Sequence, residues 1–436
     1  MRATTTARSN QPSRRFLITA AAVGRIYAGY KWAQLRAKLL DDATAEAMWH
    51  RQHRQAATLV YDTATRLEGM LIKACQFLGT RADVLPDEYV EVLSRLQDRV
   101  PPRPFNEMAR VIERELGQPV DKVFASFDRQ PLASASLAQV HHAQLHDGRE
   151  VAVKIQYPNI AQLVAADLAN LTFFVNLLAR LERNFDLRLI VREAAKYVPL
   201  ELDFEHEACN AERIRANLSR RTDVIVPEII RAYSTKRVLV MQYLPGIKVT
   251  DVDGLNAAQI DRQEVARILS EIYCHQILID GFFHADPHPG NLLVRPGPQL
   301  VLLDFGLVKD FPPGFQLGVA QLAGAILTHD IPRMAEAFHV LGFRTRTGDA
   351  GSLVALGDAF LGNAARDGQS YASPEMLERI NRDLSVALRA NPIVEAPSDI
   401  LLVVRVMGLL SGIGKQLGSR VDPMALMMPF VLQAQQ

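Results

Sequence analysis

The spacing of hydrophobic residues is helical in the first quarter of the chain. Between residues 45 and 115, apolar residues recur every three or four positions, and in EYVEVLSRLQDRV (88–100) they are Val92, Leu93, Leu96 and Val100. Residues spaced in this way share one face of a helix, and Pro101 directly after them predicts its end. We therefore expect a helical segment before any sheet begins.

The spacing changes to short β-prone runs after residue 123. An Asp-Gly pair at 147–148 separates two of these runs, which predicts an antiparallel meander ending in the strand EVAVKIQ (150–156). Helical spacing returns over 160–220, and a strand at 237–244 runs into a Pro-Gly hinge at 245–246.

The chain beyond the hinge is mostly helical. One helix that ends at Gly281 has a single apolar face, made of Val265, Ile268, Leu269 and Ile272. Two brief strands flank the turn RPGPQ (295–299). An α+β chain is expected, with a basic leader (1–45), a helical extension (46–115), a small β-containing lobe with a helical insert (116–244) and a larger, mainly helical lobe (245–436).

Composition excludes some classes of protein. Hydrophobic residues make up 48% of the chain and charged residues 22%, as in ordinary globular proteins. The net charge of +1 argues against a dedicated nucleic-acid binder. The three cysteines are far apart and form no C-x-x-C pair, so neither a zinc site nor a disulfide framework is predicted. A reducing, cytoplasmic setting is expected.

The leader is basic. It carries eight Lys or Arg residues and no acidic residue before Asp41, and its apolar run at 16–24 is too short to span a bilayer. Two interpretations stay open: peripheral contact with the inner face of an anionic membrane, or a solvated tail. A second apolar stretch at 400–415 has Arg405 in its middle, which favours a buried helix over a membrane span.

The strongest chemical motif is HADPHPGNLLVRPGPQLVLLDFG (284–306). It places Asp286 on a loop, Asn291 at the exit of that loop and Asp304 after the next hairpin. Phosphoryl transfer needs a carboxylate that accepts the proton of the nucleophile, and oxygen ligands that hold magnesium on the phosphates. His284 at the start of the motif is expected to brace the loop rather than to react.

Two further motifs precede it in the order of a kinase. Lys154 ends the apolar strand VAVK, where an ammonium group suits a phosphate contact. Upstream, PLASASLAQVHHA (131–143) stands where a Gly-rich loop is expected. Its small residues Ala133, Ser134, Ala135 and Ser136 carry Cβ atoms, so their backbone is less free than that of glycine.

Taken together, these segments resemble the UbiB (AarF-domain) family of atypical protein-kinase-like proteins. The resemblance is carried by KACQFLGTRADVLPDEY, LQDRVPP, PLASASLAQVHHAQLHDGREVAVKIQYP, ELDFEHEACNAER, GFFHADPHPGNLLV and LLDFGLVKDF, over residues 70 to 310. It implies a bilobal protein-kinase-like fold that binds Mg-ATP between its two lobes.

The resemblance also implies a role for each matching residue. The Ala-rich loop at 133–136 replaces the Gly-rich loop, Lys154 contacts ATP phosphates and pairs with Glu207, and Glu201 and Asp203 form the E-x-D motif. Asp286 takes the place of the catalytic base, and Asn291 and Asp304 hold magnesium.

Lys73 and Gln76 match the family's K-x-G-Q motif, whose helix lies over the active site. They are three residues apart and so share one helix face. Without the resemblance, Lys73 is most simply a surface residue with its stem on apolar neighbours. Cys75 stands where the family has Gly, and a tolerated packing residue is favoured over a redox role.

The activation segment lacks the features of a conventional protein kinase. No Ser, Thr or Tyr lies between Asp304 and Thr328, and no A-P-E sequence follows. A switch that orders this segment by its phosphorylation is therefore excluded.

Three functions remain open. The resemblance favours an ATPase or kinase that supports isoprenoid-quinone (ubiquinone-type) biosynthesis or lipid metabolism, with quinone precursors, lipids or a quinone-biosynthesis complex as partners. One alternative is a nucleotide-binding scaffold with little turnover. The other is a small-molecule phosphotransferase, which would not account for residues 71–102 or for the Ala-rich loop.

Overall fold

The computed structural model of the chain describes residues 11–79, 85–93, 95–96, 101–182, 188, 191, 195, 198–328, 330–348, 351–357, 391, 393–395 and 397–434. Its helices are α1 (Pro12–Ala37), α2 (Asp42–Leu67), α3 (Met70–Gly79), α4 (Asp87–Leu93), α5 (Phe105–Leu116), α6 (Val120–Val123), α7 (Ile160–Leu181), α8 (Phe204–Asn217), α9 (Val252–Ala257), α10 (Arg262–Cys274), α11 (Phe315–Leu327), α12 (Ile331–Val340), α13 (Gly351–Gly357), α14 (Ser398–Leu417) and α15 (Pro423–Ala434).

The strands are short. They are β1 (Phe124–Phe127), β2 (Ala133–Ser134), β3 (Ala138–Leu145), β4 (Glu150–Gln156), β5 (Val224–Ile225), β6 (Val238–Gln242), β7 (Ile247–Lys248), β8 (Phe282–His284), β9 (Leu292–Arg295), β10 (Gln299–Leu302), β11 (Val308–Asp310), β12 (Arg344–Thr345) and β13 (Ile393–Glu395). The expected α+β class is confirmed.

The chain divides into two compact units. Unit 1 comprises the described parts of Met1–Glu207 together with Ile229–Tyr243, and unit 2 comprises Ala208–Glu228 and the described parts of Leu244–Gln436. The sequence places all of 116–244 in one lobe, whereas the structure places 208–228 in unit 2. One reason is β5, which pairs in parallel with β10 of unit 2.

Unit 1 is built on an antiparallel sheet in the order β1-β3-β4-β6, with β2 paired to β3. The predicted meander is confirmed, and Gly148 supplies the positive φ of 89° at the turn between β3 and β4. Alternate residues of β4 and β6 point into the core, and Val151, Val153, Ile155 and Val240 are fully buried there. This burial fixes the register and so directs Lys154 to the opposite face.

The leader is helical where the structure describes it, so of its two open interpretations the solvated tail does not hold for residues 12–37. Helix α1 packs against α2 and α7. Its Arg15 is buried, donates through Nε to Asp167 Oδ1 at 2.8 Å, and donates to the carbonyl oxygen of Leu67 at 2.6 Å. A buried guanidinium held by a carboxylate and a carbonyl ties this helix to the rest of unit 1.

The end of α4 and the apolar length of α7 bear on two further expectations. The helix predicted to reach Val100 ends at Leu93. A tight turn follows, in which the N–H of Leu96 donates to the carbonyl oxygen of Leu93. Residues 97–100 lie outside the described part of the chain. Among the described residues, α7 alone is long and apolar enough to cross a membrane by length and composition.

Unit 2 is mainly helical, with a four-stranded sheet in the order β5-β10-β9-β7 and a ribbon of β8 and β11. The two brief strands around RPGPQ are confirmed as β9 and β10. Helix α10 buries the predicted apolar face and continues through a π-helical turn (His275–Asp280) to Gly281, which adopts φ 61°. Residues 400–415 lie in α14, whose Val406, Ile413 and Leu417 are buried.

Candidate active site

Lys154 and Glu207 form the ion pair that the family resemblance implies. Lys154 Nζ lies 2.7 Å and 2.9 Å from the two carboxylate oxygens of Glu207, and 5.2 Å from the centre of the Phe204 ring. Glu207 is in the first turn of α8, and its side chain is only 1% exposed. Burial disfavours a lone carboxylate, so the ammonium group that neutralises it is held firmly in place.

The E-x-D pair lies just before this helix. Asp203 Oδ1 accepts hydrogen bonds from the backbone N–H groups of Glu205 and His206, each at 3.2 Å, so Asp203 caps the helix that carries Glu207. Its Oδ2 lies 3.3 Å from Lys236 Nζ. Glu201 is half-buried on a 3₁₀ turn (Leu200–Leu202). The structure therefore gives Asp203 a positioning role, while a nucleotide contact by either residue stays a prediction.

The Ala-rich loop is held by its neighbours. Ala133 and Ser134 form β2, and the carbonyl oxygen of Ala135 accepts a hydrogen bond from Tyr157 Oη at 3.0 Å. Burial raises the pKa of Tyr157 to about 12, so the phenol remains a donor. Ser136 is 2% exposed, and its hydroxyl has no hydrogen-bond partner among the described residues. An unpaired buried hydroxyl costs about 1–3 kcal/mol, which favours a ligand oxygen at this loop.

The K-x-G-Q-like motif lies on α3. Lys73 and Gln76 belong to this helix, but their side chains lie outside the described part of the structure. Cys75 between them is buried against Leu71 and Leu93 in a hydrophobic cluster. Burial raises the pKa of the Cys75 thiol to about 12, so it is not a reactive thiolate. These contacts favour the packing role expected for this residue.

His284 braces the loop of the 284–306 motif, as expected. It is fully buried, and its backbone N–H donates to Gln276 Oε1 at 2.9 Å. On the imidazole, Nε2 lies 2.6 Å from the carbonyl oxygen of Asp304, and Nδ1 lies 3.2 Å from Tyr273 Oη. Burial raises the pKa of Tyr273 well above its usual value, so its hydroxyl is the donor to Nδ1. His284 Nε2 then donates to Asp304 and links the two halves of the motif.

The three polar residues of the motif lie on loops of unit 2. Asn291 Nδ2 lies 3.4 Å from the carbonyl oxygen of Asp286, at the end of a 3₁₀ turn. Asp304 is exposed and adopts a positive φ of 59°, and its Oδ1 accepts from the N–H of Gly306 at 3.3 Å. Phe305 is buried, and its carbonyl oxygen accepts from Asn210 Nδ2 at 3.1 Å. A buried Phe305 turns the neighbouring carboxylate of Asp304 outward.

Magnesium suits the donors that these loops present. No cluster of three or more His, Cys, Asp or Glu side chains that could hold a metal occurs in the described part of the chain. Magnesium, however, is usually held by one or two protein oxygens together with water and substrate phosphates. Asp304 and Asn291 supply such a set, and their role as ligands remains a prediction.

The structure adds a residue that the sequence interpretation missed. Arg405 on α14 donates through Nη2 to Asp286 Oδ1 at 2.9 Å. Arg405 Nε is buried without a hydrogen-bond partner in the described part of the structure. Asp399, six positions before Arg405 on the same helix, forms a second ion pair with Lys309 on β11. One helix therefore holds both the loop of Asp286 and the strand that follows Asp304.

A sequence signal for this contact exists. Arg405 interrupts an otherwise apolar helix, and a cation in such a place needs a carboxylate partner. The sequence does not say which of the acidic residues is that partner, because Asp286 lies 119 positions away.

Comparisons with known proteins show which proteins this chain is similar to. A family model described as the ABC1 atypical kinase-like domain matches residues 95–338. The chain is 34% identical over 392 residues to AarF domain-containing protein kinase 1 of Xenopus tropicalis, covering 86% of this chain and 73% of that protein. It is also 34% identical over 401 residues to the chloroplastic protein ACTIVITY OF BC1 COMPLEX KINASE 8 of Arabidopsis thaliana, covering 84% of this chain but about half, 52%, of that protein.

A solved structure has the same fold. It is the complex of Rv3197 with erythromycin from Mycobacterium tuberculosis, with a TM-score of 0.64 and 26% sequence identity. The match covers 91% of this chain and 99% of that one. The predicted kinase-like fold is thereby confirmed over most of the chain.

Proposed function

Because the chain belongs to the ABC1/AarF family of atypical kinase-like proteins, we propose that it is an ATPase or kinase that binds Mg-ATP and cleaves its γ-phosphate. Unit 1 supplies the Ala-rich loop and the ammonium group of Lys154 for the phosphates. Unit 2 supplies Asp286 as the base, and Asn291 and Asp304 as the magnesium ligands. Magnesium would neutralise phosphate charge, which is the main requirement of phosphoryl transfer.

The Lys154–Glu207 ion pair is the observation that carries the proposal. A kinase-type site needs this lysine held in place, and here both carboxylate oxygens of a buried glutamate hold it. The orphan hydroxyl of Ser136 on the adjoining loop supports an oxygen-rich ligand such as a phosphate. A scaffold without turnover would not require the base and the magnesium ligands to be retained as well. We therefore favour an active enzyme over the scaffold.

The physiological role that we propose follows the family resemblance. The enzyme would support isoprenoid-quinone biosynthesis or lipid metabolism, in the cytoplasm or at the inner face of a membrane. Comparing the quinones of a deletion strain with those of its parent tests this role. An unchanged quinone profile would reject the pathway and leave the enzymatic proposal standing.

The decisive test of activity is Asp304→Asn. This variant keeps the shape of the side chain but removes the charge that would hold magnesium, so magnesium-dependent nucleotide hydrolysis should be abolished. Asp310→Asn is the matched control, because Asp310 is exposed in the same segment and pairs with Arg213. It should hydrolyse ATP at the parental rate.

Three results would contradict the proposal. Full turnover in Asp304→Asn would show that the carboxylate is not needed. A parent protein that binds ATP but never hydrolyses it would favour the scaffold. A phosphorylated small metabolite that is neither a quinone precursor nor a lipid, found after incubation with ATP, would favour the small-molecule phosphotransferase.

A further inference from the structure

Arg103 lies in a stiff segment of unit 1. Pro101 and Pro102 precede it and Pro104 follows it, and a proline restricts the residue before it to extended backbone. The family resemblance implies no role for Arg103, which directly follows the segment LQDRVPP (96–102). Its contacts, however, lead to the Ala-rich loop.

The backbone of Arg103 is fixed to strand β3. Its N–H donates to Gln139 Oε1 at 2.9 Å, and Gln139 Nε2 lies 3.4 Å from its carbonyl oxygen. Gln139 is fully buried, and its partner in the pairing of β2 with β3 is Ser134 of the Ala-rich loop. Arg103 is therefore tied to the strand residue that pairs with the loop.

Buried His141 sets the direction of the Gln139 amide. His141 Nδ1 lies 2.8 Å from the carbonyl oxygen of Asp128, which can only accept, so Nδ1 carries the proton. Burial lowers the pKa of His141, so the ring is neutral and its Nε2 is an acceptor. Gln139 Nε2 therefore donates to His141 Nε2 at 2.8 Å, which leaves Gln139 Oε1 to accept from Arg103.

The guanidinium group of Arg103 joins two other elements. Its Nη2 lies 3.2 Å from Glu68 Oε2, and its Cζ lies 5.4 Å from the centre of the Tyr157 ring. Tyr157 is buried, and its hydroxyl donates to the carbonyl oxygen of Ala135 in the loop at 3.0 Å. A planar cation against this ring restricts the movement of the side chain that holds the loop.

Glu68 lies at the α2–α3 junction, which we define as Glu68 and Gly69. Both residues have a positive φ, 54° and 64°, and α3 begins directly afterwards at Met70. A residue with a Cβ atom keeps this conformation only where its neighbours hold it, and Arg103 is such a neighbour. Arg103 thus links the start of the helix with the K-x-G-Q-like motif to the Ala-rich loop, within unit 1.

We propose that Arg103 is a positioning residue for the Ala-rich loop: it holds the loop through Tyr157 and makes the conformation of the loop depend on the α2–α3 junction. The inference rests on the proposed function, in which this loop contacts the phosphates of ATP. Such a contact is made in the ground state and in the transition state alike. A loosened loop should therefore raise the KM for ATP rather than lower kcat.

Hydrogen exchange of the loop amides tests the positioning without any nucleotide. The N–H of Ala135 donates to the carbonyl oxygen of Ala138 at 2.9 Å, and its exchange reports how often this bond opens. Arg103→Met keeps the length of the side chain and the backbone contacts with Gln139, but removes the charge and the planar group. Exchange over 132–138 should become about tenfold faster.

Arg54→Met is the matched control for this experiment. Arg54 on α2 forms an ion pair with Glu91 on α4 at 2.7 Å, so the variant also removes an Arg–Glu pair from unit 1. It should leave exchange over 132–138 and the KM for ATP at the parental values. Circular dichroism and urea unfolding check the fold of each variant.

Steady-state kinetics test the consequence for ATP. Arg103→Met should raise the KM about fivefold and leave kcat within about twofold of the parent. Tyr157→Phe removes only the hydroxyl that holds Ala135, and should have the same effect. Because Arg103 acts through Tyr157, the double variant should match either single variant rather than multiply their effects.

Two milder variants extend the series. Glu68→Gln removes the charge at the α2–α3 junction, so it should raise the KM in the same direction by a smaller factor. Arg103→Lys keeps the cation without the planar group, so it should restore part of the affinity. These two variants carry the same measurements if Arg103→Met does not fold.

Defined results overturn the proposal. Parental exchange over 132–138 in the folded Arg103→Met variant would reject it, as would single effects on the KM that multiply in the double variant. A loss of stability in urea with neither effect would assign Arg103 to the fold alone. A parent that neither binds nor hydrolyses ATP would reject the proposed function, while the exchange experiment would still decide whether Arg103 positions the loop.

Discussion

Glu207→Gln is the sharpest test of how the candidate site is organised. The variant keeps the size of a side chain that is 1% exposed, but removes the negative charge beside Lys154. Gln can still accept one hydrogen bond from the ammonium group, whereas Glu207 accepts two, at 2.7 Å and 2.9 Å. We expect Lys154 to lose its fixed position, and nucleotide hydrolysis to fall because of it.

The expected magnitude follows from these distances. At a separation near 2.8 Å and an effective dielectric constant of about 20, the gross attraction is about 6 kcal/mol. Most of it is offset, since burying the carboxylate is itself costly and the Gln oxygen keeps one hydrogen bond. A net loss of about 1–2 kcal/mol in the free energy of unfolding is expected. In kcat/KM for ATP, a mispositioned lysine should cost about a hundredfold, or roughly 2.7 kcal/mol.

Steady-state ATPase assays and urea unfolding measure the two effects. Glu205→Gln is the matched control, because Glu205 lies in the same turn of α8 but is exposed, so both quantities should stay at the parental level. If Glu207→Gln hydrolyses ATP within about twofold of the parent while its stability falls, the ion pair serves only the fold. That outcome would refute the placement of Lys154 in the catalytic machinery.

Two further predictions concern the other ion pairs. Burial raises the pKa of Asp167, and Arg15 opposes this shift, so Arg15→Met should lower the free energy of unfolding by about 3–5 kcal/mol near neutral pH. A carboxyl group whose folded pKa is raised favours the folded state when protonated, and this contribution is lost as the pH rises through that pKa. The loss of unfolding free energy in Arg15→Met should therefore become smaller on acidification. It should disappear when Asp167→Asn is added to Arg15→Met. The fluorescence of the two tryptophans, both in unit 1, measures the unfolding. Arg405→Met should lower kcat about tenfold with little change in KM for ATP, because it frees the side chain of Asp286. Arg405→Lys should restore part of the rate. An unchanged kcat in Arg405→Met would reject a positioning role for Arg405.

The sequence was sufficient for elements whose partners are close along the chain. The β3–β4 hairpin follows from alternating apolar residues and an Asp-Gly turn, and the β9–β10 hairpin follows from similar local rules. The Lys154–Glu207 pair spans 53 positions, and only the family resemblance indicated it. Local rules alone could not choose Glu207 over its neighbours, because Glu201, Glu205 and Glu207 differ mainly in how deeply each is buried.

The sequence predicts less well the features that depend on packing against residues distant in the chain. The helix expected to reach Val100 ends at Leu93, since the turn at Leu96 is set by packing within the cluster around Cys75. The loop of small residues at 133–136 was predicted, but its anchor was not, because Tyr157 reaches Ala135 across the sheet.

The sequence by itself determined the α+β class, the order of the motifs and the candidate residues for phosphoryl transfer. These depend on spacing and residue type, which the chain carries locally. Only the tertiary structure decided which side of α1 is covered and which acidic residue Arg405 meets. Spacing shows which residues share a helix face, but whether that face is buried depends on distant neighbours such as Asp167, 152 positions from Arg15. For the same reason, only the structure shows that Leu17, Trp32 and Leu35 of α1 face outward.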